Sequence, residues 1–476
     1  MKPGSDLPAT PNIVLDPNSY VDPMARVFSQ QDEILRAFFP HCSDFYRTIL
    51  YDPTVLALMD QGKIVRTHEK AEITLPGFDL VVSHQRISRK NYSYEWPFSM
   101  LREAALVTLD IAIQLIEKKI TLQDAASFNV FFKDTHPVFI DFSSLVTDDE
   151  QYLWAAYQQF CHHFLFPLYI HAAGKSSLVL SLLKDNLDGI NARQTSQALG
   201  LSHKLVLRDY FSRLAIPEFF AGKLGRAQDR SYMSTTSGKI MNFVNTTKAK
   251  LRFFTSLRRT VEKIKGPRMR REWVDYYNQT DEGQLQRKQE AVSRVLDHLQ
   301  YSTVVDVGCN LGNFACLAAQ KGVKVTALDA DPDCIERLFI KARQKNLTIL
   351  PLVADLTNPS PMLGWRNLEY DTLPHRIKAD AVLALALMHH LIFSSGWNFD
   401  RTLGALKEFQ NEALLVEYVD INDPMTKRLP RRPGVDYGWY DLENFKEALG
   451  RHFRKVDQVK RLSDTRVLFL GQEPLD

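Results

Sequence analysis

The sequence predicts an α/β protein in two parts: a mainly parallel sheet covered by helices in the C-terminal half, and an α+β domain before it. From residue 283 onward, short β-branched apolar runs alternate with helical stretches, which is typical of a parallel sheet with helices on both faces. Before residue 235, strand-like pieces, a long helix and a hairpin follow one another without that alternation.

The composition is that of a globular protein. The 476 residues allow two to four domains, and 45% are hydrophobic while 24% are charged. With 59 Lys and Arg against 56 Asp and Glu, the net charge of +3 does not by itself indicate a polyanionic partner, and we expect no nucleic acid. Five cysteines without C-x-x-C spacing disfavour a disulfide framework. No secretory signal or spanning segment is visible, so we expect a soluble, cytoplasmic protein without a structural metal.

Changes in composition divide the chain into four segments. Residues 1–20 read as a flexible tail and residues 21–235 as the α+β domain. Residues 236–275 are strongly basic, with apolar residues at helical spacing, and we interpret them as an amphipathic helical connector. Residues 276–476 form the α/β domain.

Local patterns place the elements of the first half. Strands are predicted at Ile73–Leu75 and Phe78–Ser83, around the turn residues Pro76 and Gly77. Apolar residues at helical spacing predict a helix over Phe98–Lys118. Two short apolar runs, Phe128–Phe132 and Val138–Phe142, predict a hairpin.

In the second half the alternation predicts a sheet whose strand ends carry acids. The predicted helices and strands are Gly283–Leu299, Thr303–Val307, Lys324–Leu328, Pro332–Gln344, Thr348–Val353, Ala379–Ala384 and Ala413–Tyr418. Asp306 lies in the first strand, before a turn through Gly308 to Gly312 at the start of a helix. Asp329 ends the second strand, where a carboxylate can accept both hydroxyls of a ribose, and Asp355 ends the third, where it can meet an adenine amino group.

Three acids at consecutive strand ends suit S-adenosylmethionine better than a dinucleotide, because a pyrophosphate would be repelled by Asp306 whereas a cationic amino group would not. Over residues 280–475 the sequence resembles class I S-adenosylmethionine-dependent methyltransferases, with Asn310 replacing the middle glycine of the family motif. Asparagine tolerates left-handed backbone better than most residues. The resemblance implies a Rossmann-like, seven-stranded sheet and a cofactor site formed by Asp306, Gly308, Asn310, Gly312, Asp329, Ala330, Asp355, Leu356 and Leu385.

The segment after the fourth strand is expected to face the methyl acceptor. It contains His389 and His390, and an imidazole can remove a hydroxyl proton near neutral pH. Since adjacent residues point in different directions, we expect one of the two to face the site, unless both are structural. Glu417, near the end of the fifth strand, is a third catalytic candidate that could orient the substrate or the base.

A narrower resemblance covers most of the chain. The segments Leu385–Leu391, Asp423–Leu429 and Tyr440–Phe453, together with Tyr94–Ala105 and Trp154–Phe164, resemble two-part bacterial methyltransferases of the nodulation-protein type. This resemblance implies a small-molecule, glycan, lipid-linked or specialised-metabolite acceptor, with O-methylation as the expected reaction.

The first half also resembles the C-lobe of kinase-like folds. Asp124 lies five residues before Asn129, and Asp141 lies near the end of the second strand of the predicted hairpin. In such folds the first Asp orients the acceptor hydroxyl, and the Asn and second Asp hold magnesium. However, Arg36 stands where a lysine is expected, and Ser143 replaces a glycine. We therefore expect a non-catalytic kinase-like domain, with two alternatives: a bifunctional kinase–methyltransferase in which Asn129 and Asp141 bind the metal, or an unrelated helical domain.

The basic stretch at residues 239–271 carries eleven Lys and Arg residues against the lone acid Glu262. We interpret it as a solvated helix that packs its apolar stripe on a neighbour. Contact with an anionic membrane surface is the alternative, in which the first half would be a non-catalytic module that recruits a carrier- or membrane-bound substrate.

Overall fold

In the computed structural model of the protein, the described residues are 13–16, 19–20, 22–30, 33–148, 153–199, 246–268 and 282–475. Most of the predicted tail lies outside them, as do Lys239, Arg270 and Arg271 of the basic stretch. None of the helices in these ranges is both long and apolar enough to cross a lipid bilayer.

The first half begins with a five-stranded antiparallel sheet in the order β1-β2-β3-β5-β4. Its strands and the two helices between them are β1 (Ile13–Leu15), β2 (Ala25–Gln30), β3 (Glu33–Phe38), α1 (Pro40–Leu50), α2 (Pro53–Asp60), β4 (Thr67–Glu69) and β5 (Leu80–His84). The strand predicted at Ile73–Leu75 is wrong. The Ile73 and Phe78 amides bond to carbonyls three residues earlier, which makes turns, and Leu75 instead packs beside Phe28 and Val81.

A helical body follows, with two small two-stranded antiparallel sheets, β6 with β9 and β7 with β8. Its elements are α3 (Phe98–Leu115), β6 (Ile120–Leu122), β7 (Val130–Lys133), β8 (His136–Phe139), β9 (Leu145–Thr147), α4 (Tyr157–Phe160), α5 (Phe166–Ala172), α6 (Ser176–Asp185) and α7 (Ala192–Leu199). Twelve of the eighteen residues of α3 are buried, so this helix forms the centre of the first half. The predicted hairpin is present, with its strands shifted by about two residues.

The basic stretch contains the helix α8 (Thr247–Lys263), which packs on α3. Phe254, Leu257 and Val261 are buried on one face, as their helical spacing predicts. On the same side, the ammonium of Lys250 bonds to Asp148 at 2.6 Å, and the guanidinium of Arg258 to Asp110 at 2.6 Å. The helix is therefore part of the first half's core.

The second half is a seven-stranded sheet in the order β12-β11-β10-β13-β14-β16-β15, as predicted for a Rossmann-like fold. Its elements are α9 (Glu282–Leu299), β10 (Thr303–Val307), α10 (Asn313–Gln320), β11 (Lys324–Asp329), α11 (Pro332–Gln344), β12 (Ile349–Val353), α12 (Leu373–Arg376), β13 (Ala379–Ala384), α13 (Met388–Ser395), α14 (Phe399–Lys407), β14 (Gln410–Val419), α15 (Pro424–Lys427), α16 (Leu442–His452), β15 (Phe453–Ser463) and β16 (Arg466–Pro474). The first five strands in the sheet order are parallel, and β16 and β15 run antiparallel at one edge. The parallel strands therefore end at one edge, where ligands bind in open α/β sheets.

The two halves pack against each other through buried polar contacts. The guanidinium of Arg376 forms an ion pair with Glu95 and also donates to the Lys90 carbonyl at 2.7 Å. On α11, the Glu336 carboxylate accepts from the Ser99 amide at 2.9 Å and from its hydroxyl at 2.5 Å. Buried polar groups need hydrogen-bond partners. Since these groups find their partners across the contact, the pairs fix the position of the first half on the sheet.

Candidate functional site

A cavity of about 870 Å³ lies at the carboxyl ends of β10, β11, β12 and β13. It is lined by eight of the nine predicted cofactor residues: Asp306, Gly308, Asn310, Asp329, Ala330, Asp355, Leu356 and Leu385. The volume is in the upper part of the usual range for ligand pockets, roughly 300–1,000 Å³. The three strand-end carboxylates therefore share one open cleft.

The turn after β10 brings backbone close to this cleft. Gly308 and Asn310 have φ of 70° and 50°, in the left-handed region that glycine and asparagine tolerate best. The Asn310 side-chain oxygen accepts from the Leu311 amide at 2.6 Å, which stabilises the turn. Asparagine thus fits where the family motif has its middle glycine.

Gly312 differs from the other predicted cofactor residues, because it does not line the cavity. It precedes α10 with φ 71°, and a Cβ there would clash with the side chain of Leu338 on α11. Its small size therefore serves the packing of two helices.

Asp329 links the end of β11 to the glycine turn that follows β10. One of its oxygens accepts from the Asn310 amide at 2.8 Å, and the other from the Asp331 amide at 2.9 Å. Each carboxylate oxygen has a second lone pair, so the group can still accept from hydroxyls in the cleft. Burial raises its pKa despite these hydrogen bonds.

Asp306 is almost completely buried at the end of β10, and its Oδ2 has no hydrogen-bond partner among the described residues. Burial raises the pKa of this carboxyl to about 7; Lys288 opposes the rise and Asp329 adds to it. A buried, unpaired acceptor is costly unless something donates to it. The amino group of S-adenosylmethionine would supply that donor, so the residues present fit this cofactor.

Asp355 is the most exposed of the three acids. Its Oδ1 accepts from the amide and hydroxyl of Thr357, at 2.8 Å and 2.7 Å, so these bonds do not use Oδ2 of this cavity-lining residue. Ala330 and Leu356 lie beside it on the wall, and Leu385 lies at the end of β13.

Of the two predicted histidines, His390 lines the cavity and His389 does not. Ala386, with φ 56°, turns the chain between β13 and α13 just before them. His389 is completely buried, and neither ring nitrogen has a hydrogen-bond partner among the described residues. Burial, and to a lesser extent the charge of Arg466, lowers the pKa of His390. Only His390 can therefore touch a molecule in the cavity.

Glu417 lies on the cavity wall as part of a buried charge network. Its carboxylate lies 2.5 Å from the Lys288 ammonium and 3.5 Å from the Arg466 guanidinium. Arg466 in turn bonds to both oxygens of Asp423, at 2.8 Å and 2.9 Å. Asp423 also caps α15, where its side chain accepts from the Met425 amide. Neither Lys288 nor Arg466 belongs to a recognisable sequence motif, so the sequence did not indicate that they belong to the site.

The first half contributes the remaining wall, which the sequence did not predict. Gly174–Leu178, at the start of α6, and Pro267 with Arg268, after α8, line the same cavity. The Ser176 hydroxyl is held by His171, whose Nδ1 lies 3.0 Å away. The cavity is thus closed by residues of both halves.

The predicted kinase-like residues lie away from this cavity. Arg36 on β3 forms ion pairs at 3.1 Å with both Asp141 and Asp22, and the Ser143 hydroxyl lies 2.8 Å from both carboxylates and can donate to either. Burial raises the pKa of Asp124, and the charge of Asp141 adds to this rise. Asn129 ends a short helical turn just before β7, and its backbone carbonyl accepts from the Ile140 amide at 2.8 Å. The cation beside Asp141 is therefore an arginine of the chain itself.

Comparison with known proteins identifies a domain over the same part of the chain. A family model described as a methyltransferase domain matches residues 270–458, which hold all the residues of the cleft except Arg466 and the part from the first half. The protein is an S-adenosylmethionine-dependent methyltransferase. The methyltransferase is 28% identical over 456 residues to the nodulation protein NoeA of Rhizobium meliloti, and the alignment covers 92% of each chain.

Solved structures resemble the methyltransferase only loosely. The bifunctional kinase–methyltransferase WbdD is 15% identical, with a TM-score of 0.31, and the match covers 42% of each chain, less than half of WbdD. The magnesium protoporphyrin IX methyltransferase of Synechocystis PCC 6803, solved with bound SAH, is also 15% identical, with a TM-score of 0.27, over 39% of this chain and 83% of the other.

Proposed function

We propose that this enzyme transfers the methyl group of S-adenosylmethionine to a hydroxyl oxygen of a polyhydroxylated acceptor, such as a glycan. The observation that carries the proposal is the single cavity in which the carboxylates of the cofactor cleft and His390 meet. Beyond His390 the wall carries the hydroxyls of Ser176, Ser177, Ser394 and Ser395. Such a polar wall suits an acceptor rich in hydroxyl groups.

The strand-end acids would hold the cofactor. Asp306 would accept from its amino group, Asp329 from its ribose hydroxyls and Asp355 from its adenine amino group. Gly308 and Asn310 would allow the close approach of the backbone, and Ala330, Leu356 and Leu385 would pack against the nucleoside. The bound cofactor supplies the methyl group and a good leaving group. Much of the rate enhancement in such a displacement comes from holding the reacting atoms in contact.

His390 would act as the general base that removes the proton of the acceptor hydroxyl. Because its pKa is lowered, the imidazole is neutral and able to accept a proton at physiological pH. Glu417, held by Lys288 and Arg466, would position the acceptor or the cationic end of the cofactor. His389, buried in α13, would have a structural role.

We infer that the kinase-like region closes the cavity and does not transfer phosphate. The support is the pairing of Arg36 with Asp141, which neutralises the carboxylate that would have to bind magnesium. A bifunctional kinase–methyltransferase, with Asn129 and Asp141 as metal ligands, is the second candidate. Mg-ATP should leave the thermal unfolding of the enzyme unchanged; stabilisation that disappears in Asp141→Ala would favour the kinase instead.

Calorimetry with S-adenosylmethionine tests the main proposal. Asp329→Asn should weaken binding by about 10- to 150-fold, since a hydrogen bond to a charged group contributes roughly 1.5–3 kcal/mol. The matched control is Asp297→Asn, which removes an exposed carboxylate paired with Lys321 at 2.7 Å, outside the cavity. If the wild type does not bind the cofactor, or if both variants bind it equally, the proposal is wrong. Labelled cofactor and a glycan fraction, followed by mass spectrometry, would then identify the methylated atom.

A further inference from the structure

Four cations form a straight stripe on the exposed face of α8. Lys248, Arg252, Arg259 and Lys263 are all exposed, and they are separated by four, seven and four residues. At 3.6 residues per turn they fall within about 60° of one another around the helix and extend along about 22 Å. We call these four residues the basic stripe.

The opposite face of α8 is buried against the rest of the protein. Phe254 packs edge-on against Trp154 with ring centroids 5.1 Å apart, and Leu257 and Val261 are also buried. Lys250 is buried and paired with Asp148. An interfacial membrane helix inserts its apolar face into lipid, and this apolar face is already covered. The basic stripe is therefore an electrostatic surface without an apolar anchor.

The stripe leads to the mouth of the methyl-transfer cavity. After α8, Ile264 is buried, and Gly266 crosses Phe98 so closely that a Cβ would lie 3.0 Å from its ring. The next two residues, Pro267 and Arg268, line the cavity. Arg268 lies five positions after Lys263, and the two Cα atoms are therefore at most about 17 Å apart. A single extended ligand can therefore contact the stripe and enter the cavity.

We propose that the basic stripe, with Arg268 at the cavity mouth, binds an anionic glycan and directs one of its hydroxyl groups to His390. This inference rests on the proposed function, in which the acceptor is a hydroxylated glycan, and it specifies that the glycan carries carboxylate, sulfate or phosphate groups. The mouth also presents Ser176, Ser177 and Gln284, which can bond sugar hydroxyls. Like charges arranged along one line attract an extended chain of opposite charge.

Two other polyanions fit the stripe less well. Single-stranded nucleic acids are held by aromatic side chains on which bases stack. The aromatic residues of α8 are Phe253, which is half-buried against Tyr157 at 5.1 Å, and Phe254, which is buried. An anionic membrane would meet a surface without an apolar anchor. Binding of single-stranded nucleic acid and of an anionic membrane is therefore measured alongside glycan binding in the test.

Fluorescence anisotropy with a fluorescein-labelled oligogalacturonate, a carboxylated glycan chain, tests the inference. In one variant all four stripe residues are changed to Gln, and in the control Arg454, Lys455, Lys460 and Arg461, which are exposed on β15, are changed to Gln. Both variants lose the same charge. The stripe variant should bind about ten- to a hundredfold more weakly and the control within about twofold of wild type, and binding should weaken as salt rises. A neutral maltooligosaccharide should not bind.

Other results would overturn the inference. Equal losses in the stripe variant and the β15 control would indicate non-specific attraction. Stripe-dependent binding of phosphatidylglycerol vesicles or of single-stranded DNA, without binding of the oligogalacturonate, would assign the stripe to that partner instead. Calorimetry with S-adenosylmethionine on the stripe variant should give wild-type affinity. A failure of glycan binding is therefore distinguishable from a failure of the cofactor site.

Discussion

The rings of His389 and His390 have centroids only 4.4 Å apart, yet they lie in different environments. His390 lines the cavity wall, and His389 is completely buried behind it. A proton acceptor must reach the acceptor hydroxyl within hydrogen-bond distance. Two neighbouring residues of the same type are thereby expected to affect the reaction differently.

The first prediction is that His390→Asn lowers kcat by about 10²- to 10⁴-fold without changing the affinity for S-adenosylmethionine, because the general base is lost. His389→Asn should keep kcat within about tenfold, provided that circular dichroism shows it to be folded. Because the pKa of His390 is lowered, the wild-type rate should stay constant as pH falls through 6.5 and decline only at lower pH. Equal losses of kcat in the two folded variants would contradict the assignment.

The second prediction concerns Asp306, whose pKa is raised from 3.8 to about 7 by burial. A carboxyl with a raised pKa binds more protons in the folded state, so the free energy of unfolding of the cofactor-free enzyme should fall between pH 4 and pH 7. The fall can reach about 4 kcal/mol, at 1.36 kcal/mol per pKa unit. Urea unfolding at pH 5 and pH 8 measures it.

In Asp306→Asn this pH-dependent contribution should disappear, and the cofactor-free variant should be more stable than wild type at pH 8. Cofactor binding should weaken, since the amide cannot ionise to meet an amino group. Asp297→Asn, at an exposed position, is the control and should show the wild-type slope. A steep slope that persists in Asp306→Asn would mean that another group titrates.

The sequence predicted eight residues that the structure brings together in one cavity, because their positions depend on local patterns. Asp306, Gly308 and Asp329 stand at fixed places relative to apolar strands, and parallel strands end at one edge of a sheet. The left-handed backbone of Asn310 was likewise expected from its residue type.

The rest of the cavity depends on tertiary contacts that leave no local pattern. Lys288 lies on a helix 129 positions before Glu417, and nothing in its neighbourhood indicates that it pairs with a carboxylate on the fifth strand. Ser176 and Arg268 reach the cavity only because buried pairs such as Arg376 with Glu95, 281 positions apart, fix one half on the other. Helical spacing predicted which face of α8 is buried but not that its basic face leads to the cavity mouth.

The third prediction concerns the pairing of Lys288 with Glu417. Lys288→Met should destabilise the enzyme by up to about 3–5 kcal/mol, since the buried Glu417 carboxylate loses its closer cation and keeps only Arg466 at 3.5 Å. The double variant Lys288→Met with Glu417→Leu should recover part of this loss. Urea unfolding of the four proteins in a double-mutant cycle gives the coupling energy. The exposed pair Lys321 with Asp297 is the control and should show less than about 1 kcal/mol.

The fourth prediction is that the contact between the halves controls both stability and cofactor binding. Arg376 is buried with Glu95 and stacks on Tyr92 at 4.4 Å, and Tyr92 packs edge-on against Tyr370 at 5.3 Å. Tyr370 lies on the loop that starts at Asp355, so these contacts hold the loop of the proposed adenine site. Arg376→Met should therefore lower the free energy of unfolding by about 3–5 kcal/mol and also weaken S-adenosylmethionine binding.

The matched control is Arg343→Met at the same contact between the halves. Arg343 pairs with Glu103 at 2.9 Å, but it is partly exposed, so its loss should cost less than about 1 kcal/mol and leave cofactor affinity unchanged. Thermal unfolding and calorimetry of both variants separate the two effects. If Arg376→Met lost stability but bound the cofactor with wild-type affinity, the first half would stabilise the fold without shaping the cofactor site. Loss of both properties in Arg376→Met alone would mean that the buried pair organises the loop beside Asp355.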